Sequence, residues 1–529
     1  INKMSWKNQY NENLNYLINH NLISRLWSND YGLWNFNSED SIDKLGWLNI
    51  LDFINNKKEY IYKIKDEIWN ENFNQIVLLG MGGSSLGAEV IYKICQLKEP
   101  HLNLLVVDTT VPDSINFFLE KIDLEKSLFI VASKSGATLE PLLLYKFFKD
   151  KLKNIFKDEN ELGKRFLAIT DEGTPLGDLA LKDKFRHVIY NPSNIGGRYS
   201  VLSFFGLIPA VLCGIDLDLL LNKAKLIEEE SKSLDLDINS AARLSAFMSA
   251  MFSSGKDKMT LVISEKIKTL GMWIEQLVAE SSGKDGVGLI PIYDEPLISE
   301  ELYSDDRCFI YIKIGQDKRL DSFIDKIDEY GHPSIKFELD NEYDIAGEFF
   351  RWEFATALLG AFLNINPFDQ PNGQLSKDIT ARFLSEDISF SDNELPYSFS
   401  SLKEMLLSAK PNSYLAIMAY IDNNCETSQI LESLRKRIVS KYGIATTLGY
   451  GPRFLHSTGQ LHKGGINSGL FLQITESNKL DFNVPDETYS FSKLLSSQAL
   501  GDRLALALNA RKVMHIDIGS NLLSLEDLN

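Results

Sequence analysis

The sequence predicts an α/β protein with two doubly wound parallel-sheet units and a further α/β segment at the C-terminus. Three observations carry this. Short aliphatic and β-branched runs, such as Ile76–Leu79 and Ser127–Ala132, have the unbroken apolar character of strands buried on both faces. These runs alternate with stretches of helical period, as crossover connections of a parallel sheet do. Several of the runs end in glycine-rich or hydroxyl-rich turns, where ligands of open parallel sheets bind.

The chain has 529 residues, 44% hydrophobic and 24% charged, which is the composition of a globular protein of two to four domains. Its net charge of −18 argues against nucleic acid or an anionic membrane as main partner. No apolar run approaches membrane-spanning length and no signal peptide is visible, so a cytoplasmic protein is expected. The four cysteines, Cys95, Cys213, Cys308 and Cys425, form no Cys-x-x-Cys pair and read as reduced, mostly buried residues. No His/Cys cluster has metal-ligand spacing, so no metal is expected.

Residues 1–70 read as a helical lead with Trp6, Trp27, Trp34 and Trp47 as packing aromatics. The first unit spans 71–233. Its strand Ile76–Leu79 runs into Gly80, Gly82 and Gly83, and Leu86, Val90, Ile91 and Ile94 then recur at helical spacing. Backbone N–H groups and a helix N-terminus make such a turn welcoming to an anion. Ser84 and Ser85 can add donors. The spacing is neither the dinucleotide fingerprint nor a Walker A loop, and a turn that simply needs glycine is the plain alternative. Leu104–Val107 is the next strand, Pro112–Leu119 a helix, and Ser127–Ala132 a strand ending in Ser133-Lys-Ser-Gly-Ala-Thr-Leu-Glu140. Pro141 is expected at the first position of the helix that follows. Phe166–Thr170 and His187–Tyr190 complete the strands.

The second unit, 234–387, contains strands Met259–Ile263, Cys308–Ile314 and Ser334–Glu338 and helices Ile267–Glu280 and Gly347–Leu363. Residues 388–396 read as a linker. The third segment, 397–529, has strands near Tyr414–Tyr420, Gly443–Thr447, Gly469–Ile474 and Val513–Ile518. A faint echo suggests repetition: Glu342-Tyr-Asp344 and Glu487-Thr-Tyr489 each join a strand to a long helix.

Five stretches could carry chemistry. Ser133–Thr138 offers three hydroxyls and a lysine beside a helix start, a good phosphate cradle and otherwise an N-cap turn. The pair Gly196–Gly197 delivers Arg198, a permanent cation able to steady an oxyanion. Glu280 stands near a helix end beside Ser281-Ser-Gly283; partial burial there makes a carboxylate a better base. Gln370 and Lys377 flank a turn and could reach one pocket. His456 and His462 share the glycine-flanked stretch 449–465, either a ligand loop or a long surface loop.

Together these motifs resemble the glucose-6-phosphate isomerase family. Gly-Met-Gly-Gly-Ser, Ser-Lys-Ser-Gly-Ala-Thr-Leu-Glu, Gly-Gly-Arg-Tyr-Ser, Glu-Ser-Ser-Gly-Lys and Asp-Gln-Pro…Lys stand in that family's order, over roughly residues 75–380. The resemblance implies two sugar-isomerase (SIS-type) units and a sugar phosphate substrate bound by Gly83, Ser84, Ser133, Lys134, Ser135, Thr138, Gly197 and Gln370. It implies Glu280 as the proton-transferring base, Arg198 as support of an enediolate and Lys377 as an aid to ring opening. Glu140 matches the carboxylate that orients the family's ring-opening histidine. That histidine is expected between the base and the Gln…Lys motif, where only His332 stands. The family-like His456-Ser-Thr-Gly-Gln-Leu-His-Lys stretch lies beyond Lys377, so His456 is the first candidate, His462 the second and His332 the third. Proton transfer between adjacent carbons needs only a base and oxyanion donors, so no cofactor is implied. A homodimer is expected from the family. The variety it looks most like is the isomerase half of transaldolase–isomerase fusion proteins, which, with Ile1 as first residue, suggests a transaldolase part that lies upstream or has been lost. A non-catalytic sugar-phosphate-binding module and a dual phosphoglucose/phosphomannose isomerase are the rival readings.

Overall fold

The computed structural model describes residues 6–35, 43–385 and 399–519. The linker expected at 388–396 lies outside these residues. Four helices, Trp6–Asn19, Leu22–Trp27, Ile50–Asn56 and Lys58–Trp69, lead the chain. Their tryptophans anchor them: Trp34 Nε1 donates to the Ala357 carbonyl at 2.8 Å, and Trp47 is fully buried with its ring 5.3 Å from that of Tyr199.

Three parallel sheets follow. The first contains β1 Gln75–Gly80, β2 Asn103–Val107, β3 Ser127–Ala132, β4 Phe166–Asp171 and β5 His187–Asn191, in the order β2-β1-β3-β4-β5. The second contains β6 Lys258–Ile263, β7 Ile290–Ile292, β8 Arg307–Ile314 and β9 Ser334–Leu339, in the order β7-β6-β8-β9. The third contains β10 Tyr414–Tyr420, β11 Ala445–Tyr450, β12 Gly469–Thr475 and β13 Lys512–Asp517, in the order β11-β10-β12-β13. In every sheet the first strand in sequence is flanked by the second and third, so the winding reverses there and a crevice opens at the carboxyl ends. The fold is the α/β, SIS-type architecture that the sequence reading expects, and the C-terminal segment repeats the winding of the second sheet.

The third sheet is wedged against the other two. A buried core layer joins Val111, Ala279 and Ile290 to Tyr414, Leu461 and Phe471. Arg435, buried on the helix Cys425–Tyr442, donates to the carbonyls of Tyr293 and Asp294 at 2.9 and 2.7 Å. Phe147 of the first unit meets the rings of Phe482 and Phe491 at 5.4 and 5.7 Å.

Some local expectations are corrected. The helix after Ser133–Thr138 spans Leu139–Lys153, so Pro141 is its third residue and not its first; first-turn N–H groups have no intrahelical acceptor, so proline costs nothing there. Gly443 is the left-handed cap (φ 65°) of the helix Cys425–Tyr442, and the strand starts two residues later. The two acidic turns do precede long helices, but one follows β9 at a sheet edge and the other follows the inner strand β12, so they are not equivalent positions of a repeat.

Candidate active site

The last rung between β1 and β3 pairs Gly80 with Ala132, which sets the turns that follow side by side. After β1 the chain makes the turn Gly82–Ser84. Gly82 has φ +54°, and a Cβ on it would lie 2.6 Å from the His456 carbonyl oxygen and 3.0 Å from Gln276 Nε2. A Cβ on Gly83 would run into the Gly197 carbonyl. Glycine is required here because three distant segments press on this turn.

After β3, Ser133 is buried and its Oγ lies 2.9 Å from Thr138 Oγ1. Lys134 is ion-paired with Asp171 and also donates to the Ser193 carbonyl at 3.1 Å, while Ser135 is exposed and accepts from the Ala137 N–H at 3.3 Å. Ser84 is buried in the neighbouring turn.

Arg198, in the turn Gly197–Tyr199, is 2% exposed and finds an acceptor for each of its donor nitrogens. Nε donates to Ser281 Oγ at 2.7 Å, Nη2 to the carbonyls of Pro367 and Asp369 at 2.6 and 2.8 Å, and Nη1 faces Glu280 Oε1 at 3.1 Å. Glu280 sits in the last turn of the helix Leu270–Ser282 and is buried, not merely shielded. Its other oxygen accepts from Gln276 Nε2 at 3.2 Å, and the same amide nitrogen reaches the His456 carbonyl at 2.9 Å.

Lys284 clamps the loop that leads to Gln370: Nζ donates to the carbonyl and carboxylate of Asp369 at 2.6 and 2.8 Å. Desolvation, with the nearby Arg198 charge, lowers its ammonium to about 8. Gln370 and Lys377 are exposed at the start of the helix Gly373–Ser385, and the Lys377 charge acts on Glu140.

Residues 449–465 are not a surface loop. They form a turn Arg453–His456 and a short helix Gly459–Gly464, mostly buried. Arg453 ties them to the first unit through Glu89 (2.6 Å), on the helix that follows β1, and Asp108 (3.1 Å), just beyond β2. Gln460 bonds Gly283 and Asn372 at 3.0 and 2.8 Å. His456 Nε2 thereby meets Glu140 Oε1 at 3.0 Å, across 316 residues of sequence. Burial works to raise the Glu140 carboxyl, but the electrostatic attraction and hydrogen bond of the His456 ring N–H outweigh it and hold the group below its ordinary range.

The other two histidines have structural settings. His462 is buried between the rings of Phe454 and Phe471, centroids 5.8 and 5.2 Å away, and desolvation drives its imidazole well below the ordinary value. His332 packs among Tyr303, Phe309 and Tyr330 beside β8, with none of the Glu280 or Glu140 contacts.

The sites so far described gather Gly82–Ser84, Ser133–Thr138, Glu140, Arg198, Glu280 and His456 at one edge. The phosphoglucose isomerase family model matches residues 49–288, which include all of these but His456. A probable glucose-6-phosphate isomerase of Methanococcus maripaludis is 30% identical over 391 residues, covering 66% of this chain and 87% of that protein. The chain belongs to the glucose-6-phosphate isomerase family. The Campylobacter jejuni glucose-6-phosphate isomerase is 28% identical over 402 residues, 66% of this chain and 94% of that one. Among solved structures, a hypothetical protein of Thermus thermophilus superposes with TM-score 0.62 at 22% identity, over 72% of this chain and 98% of that one. A Chlamydia trachomatis glucose-6-phosphate isomerase does so with TM-score 0.53 at 20% identity, over 71% and 78%. At such identities the structural likeness is one of fold. No helix among the described residues is long and apolar enough to cross a membrane.

Sequence reasoning missed Gln276, Lys284 and Arg453. Gln276 was within reach, since it precedes Glu280 by one helical turn and so shares its face. The others are single polar residues whose partners lie far away in sequence.

Proposed function

We propose that the chain is a glucose-6-phosphate isomerase, interconverting glucose 6-phosphate and fructose 6-phosphate through a cis-enediolate. One observation carries this reading: a buried Glu280 carboxylate, held at one oxygen by Arg198 and at the other by Gln276, between two phosphate-competent turns and a histidine. The sugar's phosphate binds at Ser133, Ser135 and Thr138, with Gly83, Ser84 and Gly197 lining its approach, Lys134 supplying positive charge and Gln370 holding the sugar. The adjoining start of the helix Leu139–Lys153 adds favourable dipole. His456, oriented by Glu140, and Lys377 move the proton between O1 and the ring oxygen that opens the ring. Glu280 then takes the C2 proton of the aldose and returns it to C1. Arg198 Nη1, beside the base, stabilises the oxyanion that forms between these steps.

The Glu140–His456 contact within one chain supports a site that one chain completes. The homodimer and a transaldolase part, fused upstream or lost, are proposals that rest on the family resemblance; the cytoplasmic location is a proposal that rests on the composition of the sequence.

Glu280→Gln tests the reading. It keeps the shape but removes the carboxylate that accepts the proton. Turnover of fructose 6-phosphate should fall by roughly 10²–10⁴-fold with the Michaelis constant little changed. Near wild-type turnover would refute the assignment of the base.

A further inference from the structure

Gln498 is buried in the middle of the helix Phe491–Leu508. Its Nε2 donates to Glu140 Oε1 at 2.8 Å, the same oxygen that His456 Nε2 meets at 3.0 Å. Its Oε1 accepts from Thr110 Oγ1 at 2.9 Å, and Thr110 is fully buried just beyond β2. These four side chains come from four separate parts of the chain and make one buried relay. One helical turn past Gln498, Asp502 pairs with Lys463 at 2.5 Å. The helix thus holds the His456-bearing stretch directly at Lys463 and through Glu140 at His456.

The chemistry of the relay has one direction. An ionised carboxylate only accepts, so the amide must turn its NH2 to Glu140, and its carbonyl then needs a donor, which the Thr110 hydroxyl supplies. A donated N–H favours the charged carboxyl over the neutral one. A neutral imidazole carries one N–H, and an acceptor fixed beside Nε2 keeps it there. We propose that Gln498, locked by Thr110, is a positioning residue for ring opening: it keeps Glu140 ionised and aimed, so that His456 holds its proton on Nε2 and offers Nδ1 to the sugar. This deepens the isomerase reading and rests on it for the identity of the reaction.

The test uses the full chain with Gln498→Leu, which keeps the bulk and removes the amide, and Thr110→Val, which removes only the lock. Two substrates separate the steps: fructose 6-phosphate, and a ketohexose 6-phosphate lacking the 5-hydroxyl, which cannot close a furanose ring. Gln498→Leu should lose about tenfold in kcat/KM on the cyclic substrate, the scale of one charge-assisted hydrogen bond, and under about twofold on the open-chain one. Thr110→Val should show the same selectivity with a smaller loss, and it carries the kinetic test if Gln498→Leu does not fold. Equal losses on both substrates, or none on either, overturn the proposal. Imidazole ¹⁵N shifts, with the His456 signals assigned by their absence in His456→Ala, give a readout independent of turnover. The wild type should show the Nε2–H tautomer and the variants a reduced share of it; an unchanged tautomer overturns the proposal. An inactive wild type that keeps this tautomer difference would count against the isomerase reading and leave the positioning role standing.

Discussion

Two glycine-rich segments meet at the site, and they work differently. The turn after β1, Gly82–Ser84, offers backbone: its glycines exist so that Gly197, Gln276 and His456 can close on it. The stretch after β11, residues 451–465, offers side chains, with His456 aimed at Glu140 and with Arg453, Gln460 and Lys463 pinning it to Glu89 and Asp108, to Gly283 and Asn372, and to Asp502. In the first, chemistry and fold are written in the same few residues. In the second, the chemistry depends on partners hundreds of residues away. A backbone site can thus be read from local spacing, and a side-chain site only once the tertiary fold is known.

The largest effect that would break this contrast comes from His456→Ala. If the second segment supplies ring opening, the variant should lose roughly 10²-fold or more on cyclic substrate, the usual worth of a general acid–base group. A mixture of His456→Ala and Glu280→Gln chains should regain nothing, because Glu140 and His456 meet within one chain. Recovery of activity on mixing would mean that the histidine is shared between subunits.

The same contrast explains what was legible. All but one of the observed strands were readable, with ends within one residue except at β11, which starts two and ends three residues later than expected, because buried parallel strands are continuous apolar runs. The exception, β7 Ile290–Ile292, is three residues long and carries Pro291. The grouping of Gly83, Ser133, Arg198 and Glu280 was readable because each motif sits at a strand end or helix end, where winding brings ligands together. His456 could be ranked first but not located, since no local pattern encodes contact with Glu140. The burial of 449–465 was hidden for a related reason: a run of glycines, histidines and a lysine reads as solvated, yet Lys463 is matched by the buried Asp502. Gln498 gave no signal at all, being one polar residue in an amphipathic helix.

A smaller effect is expected for Gly82→Ala. The new methyl would have to displace the His456 carbonyl at a residue with φ +54°, so strain and overpacking should cost about 1–3 kcal/mol of stability, read as a lower denaturant midpoint at unchanged slope. Activity should fall as well, because the carbonyl that moves belongs to the histidine. A neutral outcome would mean that the two segments do not touch.

A pH series sharpens the second segment. The Glu140 carboxyl lies below the ordinary 4.5 of a glutamate when folded, so the unfolded chain takes up its proton first as pH falls. The contribution of the Glu140–His456 pair is therefore complete above about 4.5 and drains away as pH drops through the folded value. At pH 7 wild type should exceed His456→Ala in unfolding free energy by about 1.5–3 kcal/mol, and the gap should narrow below pH 4.5. A gap that stays constant to pH 3 would show that the pair adds nothing through charge.

The smallest functional effect is expected six residues on. His462 shares the segment and its residue type with His456, yet it is 3% exposed, wedged between Phe454 and Phe471, and its Nδ1 meets no hydrogen-bond partner. Desolvation keeps it neutral, so it behaves as a flat packing residue. His462→Leu removes an unsatisfied buried nitrogen while filling most of the same volume, and buried polar groups left without partners are costly. Stability should therefore change by less than about 1.5 kcal/mol in either direction, as for volume-conserving swaps, and kcat on both cyclic and open-chain substrate should stay within about twofold. A loss of ring opening in this variant comparable to that of His456→Ala would transfer the proton-moving role to His462. It would also require the segment to expose in solution a ring that is here enclosed by two phenylalanines.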